Sequence, residues 1–301
     1  MSKHFPNIIA VLQALLVTFL WSTSFIIIKW GLAEIPPITF AGYRYFLAFI
    51  IFAPFVFKQK YRAELFNLSR TQIKKLILLG IVFYFFTQGT LFLGLSLLPA
   101  VTVSLMLNFT PLVVAVLGIF FLKEFPSILQ WTGAVLFICG ILVYFFPVSL
   151  SGREWLGIVV MLVGIMANSA SAILGRDINR NKDVSPLIVT FVSMGVGAII
   201  LLLVGLSVEG LSRISLENFL FLLWLAAVNT AFAFTLWNLT LRTLTAMESS
   251  IINGTMLIQI AILAWFFIDE KITLHEGMGM IIAAIGAVLV QLRRNNKTKM
   301  N

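Results

Sequence analysis

Two histidines, one cysteine and twelve carboxylates are the groups in this chain that could ligate a metal, act as a nucleophile or move a proton. Such chemistry needs several of them together, as a ligand set or as a base within reach of its partner. Their positions argue against it. His4, His275 and every carboxylate from Glu34 to Glu276 fall between long apolar runs or at their ends, and none stands at the middle of one. Cys139 is alone, so no disulfide is available. The groups that do stand within the apolar runs are uncharged: Trp21, Ser22, Tyr84, Gln88, Asn108, Asn168, Trp237, Asn253 and Gln259. Side chains of these types hold a small molecule without transforming it, rings packing an apolar or planar part and amides binding polar groups. The chemistry expected is binding without catalysis, with no metal or other cofactor.

The apolar runs must position these side chains. The chain is 60% hydrophobic and 11% charged, against about 25% charged residues in a soluble domain. Ten spans can be marked, 7–30, 37–57, 73–95, 100–122, 128–146, 154–175, 186–207, 217–241, 246–268 and 274–292. At about 1.5 Å per residue each is long enough to cross a hydrocarbon core of about 30 Å. The first is too long for a signal-peptide core and lacks a small-residue cleavage site after it, so it is expected to remain as a helix. Helix starts are marked by Ser/Thr-x-x-Glu/Gln boxes at SRTQ (69–72), SILQ (127–130), SGRE (151–154), TAME (245–248) and TLHE (273–276), and by Ser185-Pro186.

A net charge of +9 suggests nucleic acid until its location is examined. Sixteen of the 21 basic residues lie in segments on the side of the two chain ends, including Lys3, Lys58, Lys123, Arg293, Arg294, Lys297 and Lys299. The opposite side holds Arg153, Arg213 and Lys271, while Lys29 and Arg44 fall within spans. This asymmetry is a positive-inside bias: both termini and the 58–75 loop are expected in the cytoplasm, and nucleic acid is excluded as a partner.

The sequence repeats. Shifted by 146, LPAVTVSLMLNFTPLVVAVLGIFFLKE (98–124) falls on LTAMESSIINGTMLIQIAILAWFFIDE (244–270), and Gly133 and Gly140 meet Gly279 and Gly286. Shifted by 147, Ser22, Ser24 and Lys29 meet Ser169, Ser171 and Arg176. Two units of five spans follow, 1–146 and 147–301. An odd number of spans forces the second to enter the membrane from the opposite side. The fold expected is an all-α integral membrane protein, ten transmembrane helices in two inverted five-helix repeats, an arrangement that can expose a midplane site to each face in turn.

The run WSTSFIIIKWGL, followed by PPITFAGYRYFLAF and LLPAVTVSLMLNFTPLVVAVLGIFFLKE, resembles the EamA-type branch of the drug/metabolite transporter superfamily. The first half matches from Trp21 to Gly140 and the second from Ala246 to Gly286, with Asn168 where the family has tryptophan. The resemblance implies a central cavity lined by helices 1, 3, 4, 6, 8 and 9, and movement of amino acids, other metabolites or drug-like compounds, often outward.

Polar side chains in lipid are disfavoured and should turn toward protein or water. Thr18, Ser22 and Lys29 share a face of the first span beside Trp21; Tyr84 and Gln88, and Ser104 and Asn108, are each one turn apart; Gly164, Asn168, Ser171 and Gly175 align; Glu248, Thr255 and Gln259 form a stripe beside Asn253. Plain helix packing is the competing reading for each. Gly133 with Gly140, and Gly279 with Ala283 and Gly286, make smooth faces expected to pack between the repeats or between subunits, with a homodimer through the fifth and tenth helices. Lys29, Arg44 and Glu248 are the candidates for coupling or gating. Lys29 can snorkel to the outer boundary. Arg44, roughly 10 Å past Pro37 at about 1.5 Å per residue, needs buried partners, and its match to the family's pattern implies a structural role. Glu248 closes a capping box.

The function expected is alternating-access transport of a small polar or amphipathic metabolite, an amino acid or related compound, with efflux as the first direction. The partners are that substrate and membrane lipids, in the plasma membrane, the inner membrane of a bacterium. The alternative is a passive channel or facilitator for small solutes.

Overall fold

A computed structural model of the protein describes residues 5–122, 127–146 and 151–291. Among these residues there are helices and no strand. The membrane helices are α1 (Phe5–Gly31), α2 (Pro37–Val56), α3 (Arg70–Leu97), α4 in two pieces (Ala100–Leu107 and Thr110–Leu122), α5 (Ile128–Phe145), α6 (Gly152–Arg180), α7 (Pro186–Val208), α8 (Leu216–Thr240), α9 in two pieces (Ala246–Gly254 and Met256–Ile268) and α10 (Leu274–Gln291). By length and composition, seven among the described residues can cross a membrane, and α5, α9 and α10 carry shorter apolar stretches. The expected boundary at 146/147 adjoins undescribed residues, and Lys3, Lys123, Glu124, Arg293, Arg294, Lys297 and Lys299 lie outside the description.

Local chemistry starts the helices as their sequences predict. Ser69 with Gln72, Ser127 with Gln130, Ser151 with Glu154 and Thr245 with Glu248 form reciprocal capping boxes, and Thr273 donates its backbone N–H to Glu276. Ser185 accepts from Ile188 N ahead of Pro186. One cap has no box in the sequence: Ser215 accepts from Asn218 N, at the position that matches Ser69 under the shift of 146. The segment between α2 and α3 is not a plain loop, since Gln59–Phe66 forms a short helix and α3 begins at Arg70.

Carboxylates between the spans cap helices of the other repeat. Glu209, after α7, accepts from Ile38 N at 3.2 Å, Thr39 N at 2.7 Å and Thr39 Oγ1 at 2.8 Å, at the start of α2. In return Glu64, after α2, accepts from Ser185 N at the start of α7. Glu270, after α9, accepts from Ala100 N at 3.0 Å and Val101 N at 3.3 Å. Free N–H groups at a helix start are thus satisfied by charge placed at the positive end of the dipole.

Two irregularities recur in both halves. The middle of α3 (Gly80–Thr87) and of α8 (Ala227–Phe232) is wound as π-helix, and α4 and α9 are interrupted at 108–109 and at 255. In each wide turn a threonine hydroxyl reaches back five residues, Thr87 to Val82 O at 3.0 Å and Thr230 to Leu225 O at 2.7 Å. Wide turns and interrupted helices leave backbone groups exposed and are tolerated at membrane depth only where they meet protein or a cavity.

The smooth faces of α5 and α10 meet each other within the chain. A Cβ at Gly140 would fall on the backbone of Ala283 and one at Gly279 on Tyr144, so the backbones touch where the sequence is smallest. This face lies between the repeats, and a homodimer through these helices would have to use their outward faces.

Candidate functional site

Between the repeats is a cavity of about 110 Å³. Its wall comes from α1 to α4 and from α6, α8 and α9. Seven of the nine expected binding residues line it: Trp21, Tyr84, Gln88, Asn108, Asn168, Trp237 and Asn253. The irregular backbone supplies four of them. Tyr84 stands in the wide turn of α3 and Gln88 follows it, while Asn108 and Asn253 stand at the interruptions of α4 and α9.

Ser22 and Gln259 are outside the wall. Ser22 Oγ donates to Gln259 Oε1 at 2.8 Å, and Gln259 Nε2 reaches Thr18 Oγ1 at 3.4 Å, so the pair joins α1 to α9. The interruption at 255 lies between Asn253 and Gln259, so the polar stripe of α9 does not continue straight into the cavity. Lys29 is also elsewhere. Its Nζ donates to Leu98 O at 2.8 Å, and its match Arg176 donates to Leu241 O at 2.7 Å. Both cations cap the C-terminal carbonyls of a wide-turn helix, α3 and α8. Glu248 accepts from Thr245 N at 2.8 Å and Thr245 Oγ1 at 2.9 Å as its capping box requires, and is not in the cavity wall.

Rings form one side of the cavity. Trp21 lies 4.8 Å from Phe234 and 5.1 Å from Trp237, and Tyr84 lies 5.3 Å from Phe234 and 5.6 Å from Tyr45. Tyr45 and Phe234 carried no signal in the sequence, because an aromatic residue in an apolar run is indistinguishable there from one that faces lipid.

Arg44 is the charged residue in the wall, among the described residues. Its Nε donates to Thr230 Oγ1 at 2.8 Å, and its Nη2 reaches Ser24 Oγ and Asn229 O at 3.4 Å each. Asn229 is fully buried and ties α8 to α1: its side-chain amide donates to Leu20 O, to Thr23 Oγ1 at 2.9 Å and to Ser24 Oγ at 2.9 Å, while its backbone carbonyl accepts from Trp21 Nε1 at 3.1 Å. Both Asn229 and Thr230 belong to the wide turn of α8, which therefore supplies the partners that a buried guanidinium requires. On the α6 side, Asn168 Nδ2 donates to Thr110 Oγ1 at 3.1 Å. Asn179 donates to Asn238 at 2.9 Å and Asn238 to Thr190 at 2.9 Å, linking α6, α8 and α7.

Among the described residues no group of three His, Cys, Asp or Glu side chains could hold a metal ion, and no carboxylate lines the cavity. The arrangement offers aromatic surface, amides and one guanidinium, which together can enclose and orient a small organic molecule.

Comparison with known proteins agrees with this architecture. A solved crystal structure superposes with a TM-score of 0.76 at 15% identity, covering 94% of this chain and 97% of that one, which establishes a common fold. An uncharacterized transporter of Archaeoglobus fulgidus is 25% identical over 93% of this chain and 96% of its own length. The uncharacterized transporter YoaV of Bacillus subtilis is 21% identical over 90% and 92%. A probable amino-acid metabolite efflux pump of Salmonella typhimurium is 27% identical over 74% and 75%. The model of the EamA-like transporter family matches residues 8–146 and again 155–292. The chain is therefore a multi-pass membrane protein that belongs to the EamA-like transporter family.

Proposed function

We propose that this protein is a secondary carrier that moves a small polar or amphipathic metabolite of the amino-acid kind outward across the membrane. The observation that carries the reading is the cavity itself: both repeats contribute to its wall, with interrupted or wide-turn helices matched in each half. Two copies of one unit can then exchange conformations around a fixed site, which favours saturable alternating access over a continuous pore. The printed name of the Salmonella relative supports the substrate class and the direction. Trp21, Tyr84 and Trp237 pack the apolar part of the substrate, and Gln88, Asn108, Asn168 and Asn253 bind its polar groups. Both termini and the 58–75 segment face the cytoplasm, on the strength of the positive-inside bias.

The test is counterflow in proteoliposomes loaded with unlabelled metabolite. Saturable accumulation of labelled substrate against its gradient supports the carrier. Flux that rises linearly with concentration and shows no counterflow sinks it in favour of a passive facilitator.

A further inference from the structure

Two side chains in the cavity wall carry more hydrogen-bond donors than the protein satisfies. Arg44 is 2% exposed. Its Nε and Nη2 are engaged as described, and Nη1 makes no hydrogen bond among the described residues. Ion pairs among the described residues join Lys75 and Arg180 to Asp177, and none includes Arg44. The rings of Tyr45 and Phe92 lie 5.2 and 6.0 Å from the guanidinium carbon, which softens the burial of the charge without supplying an anion. Gln88 adds to this donor excess. Its carbonyl oxygen accepts from Tyr45 Oη at 2.6 Å, which fixes the amide, and its N–H groups make no hydrogen bond among the described residues.

Other groups in the same wall have the opposite demand. The Nδ2 of Asn108 donates to Ser104 O at 2.6 Å, so the amide orientation is set, and Oδ1 is left buried without a donor. Asn253 Oδ1 is also buried without one. Neither oxygen is open to the cavity, and the oxygens of Asn179 and Asn229, which lie outside its wall, are buried in the same way, so the amide oxygens mark no seat for a ligand. A buried cation and an amide with free N–H donors, lining a cavity that holds no carboxylate among the described residues, complement a molecule that carries an anion.

We propose that Arg44 and Gln88 seat the carboxylate of an amino-acid substrate. The planar guanidinium matches a carboxylate with paired N–H bonds. The proposal rests on the carrier reading above and adds which groups read the carboxylate.

The experiment measures ligand-induced shifts in melting temperature of the purified full-length protein in detergent. The probes are the proteinogenic amino acids and their α-amides. At least one amino acid stabilises the protein, while its amide binds about thirtyfold more weakly or worse, as expected when one partner of a buried charge pair is removed. Arg44→Gln abolishes the preference for acid over amide and Arg44→Lys restores part of it. Gln88→Glu still accepts from Tyr45 but places negative charge where the donors were, so it weakens the amino acid and spares the amide. An amide that binds as tightly as its acid overturns the carboxylate seat. Stabilisation by no amino acid overturns the proposal, while saturable counterflow of another metabolite would leave the carrier reading standing. If Arg44→Gln does not fold, Gln88→Glu and the acid-against-amide comparison on the unmodified protein decide.

Discussion

Lys75 Nζ lies 2.5 Å from Asp177 Oδ2, tying the first part of α3 to the last part of α6. At the positions that match these two in the other repeat, Phe221 and Trp30 face each other with ring centroids 5.8 Å apart, tying α8 to α1. The same helix pair is thus fastened by an ion pair in one copy and by aromatic rings in the other. Arg180 reinforces the first with a contact to Asp177 at 2.9 Å, and Phe267 the second at 6.3 Å from Trp30.

This difference predicts unequal responses to salt. The Lys75 and Asp177 side chains are 42% and 23% exposed, so the pair is screened and contributes no more than about 1 kcal/mol. Asp177→Asn leaves the melting temperature nearly unchanged and removes the difference in transport rate between low and high ionic strength. Trp30→Ala keeps that difference. Rates measured in proteoliposomes across a salt series check both, and an unaltered salt response in Asp177→Asn would refute the latch.

Glu209 serves three donors at the start of α2 from the far end of the other repeat's α7. Its loss leaves those groups without a partner, so Glu209→Ala destabilises the protein by about 1–2 kcal/mol, the range of a lost N-terminal cap. Glu209→Gln recovers part of this, since an amide oxygen still accepts. Thermal unfolding in one detergent compares the three proteins.

Gln259, bonded to Ser22 and Thr18 outside the cavity wall, is expected to act as scaffold. Gln259→Leu removes its bonds to Ser22 and Thr18, while Ser22 Oγ keeps its 2.8 Å contact to Thr18 O. The loss of stability should be near the average of about 0.6 kcal/mol for polar contacts between membrane helices, with half-saturation for substrate moved by less than about twofold. A tenfold or larger change in half-saturation, by the same transport assay, would return Gln259 to the binding site.

Asn67 is exposed at the end of the short helix between α2 and α3. In a background with Cys139 replaced, Asn67→Cys is labelled by an impermeant thiol reagent only after the cytoplasmic face is opened, because the basic residues of the 58–75 segment resist translocation. Labelling from outside intact cells would invert the topology.

The sequence by itself determined the spans, their caps and the duplication, because each depends on neighbours along the chain. An apolar run of sufficient length becomes a membrane helix whatever it packs against, and Ser69 finds Gln72 three residues away wherever the helix goes. Seven of the cavity residues were legible for a related reason: amides and tryptophans at mid-span have few places to go in lipid. The tertiary structure decided which of them face a cavity and which face each other. Ser22 and Gln259 are 237 residues apart, and nothing local to either says that they pair. Lys29 takes a carbonyl 69 residues on, and Glu209 caps a helix 170 residues back. The wide turns of α3 and α8, which aim Tyr84 and supply Arg44 with Asn229 and Thr230, have no sequence signature, since a π-turn is stabilised by what packs against it and not by the residues that form it.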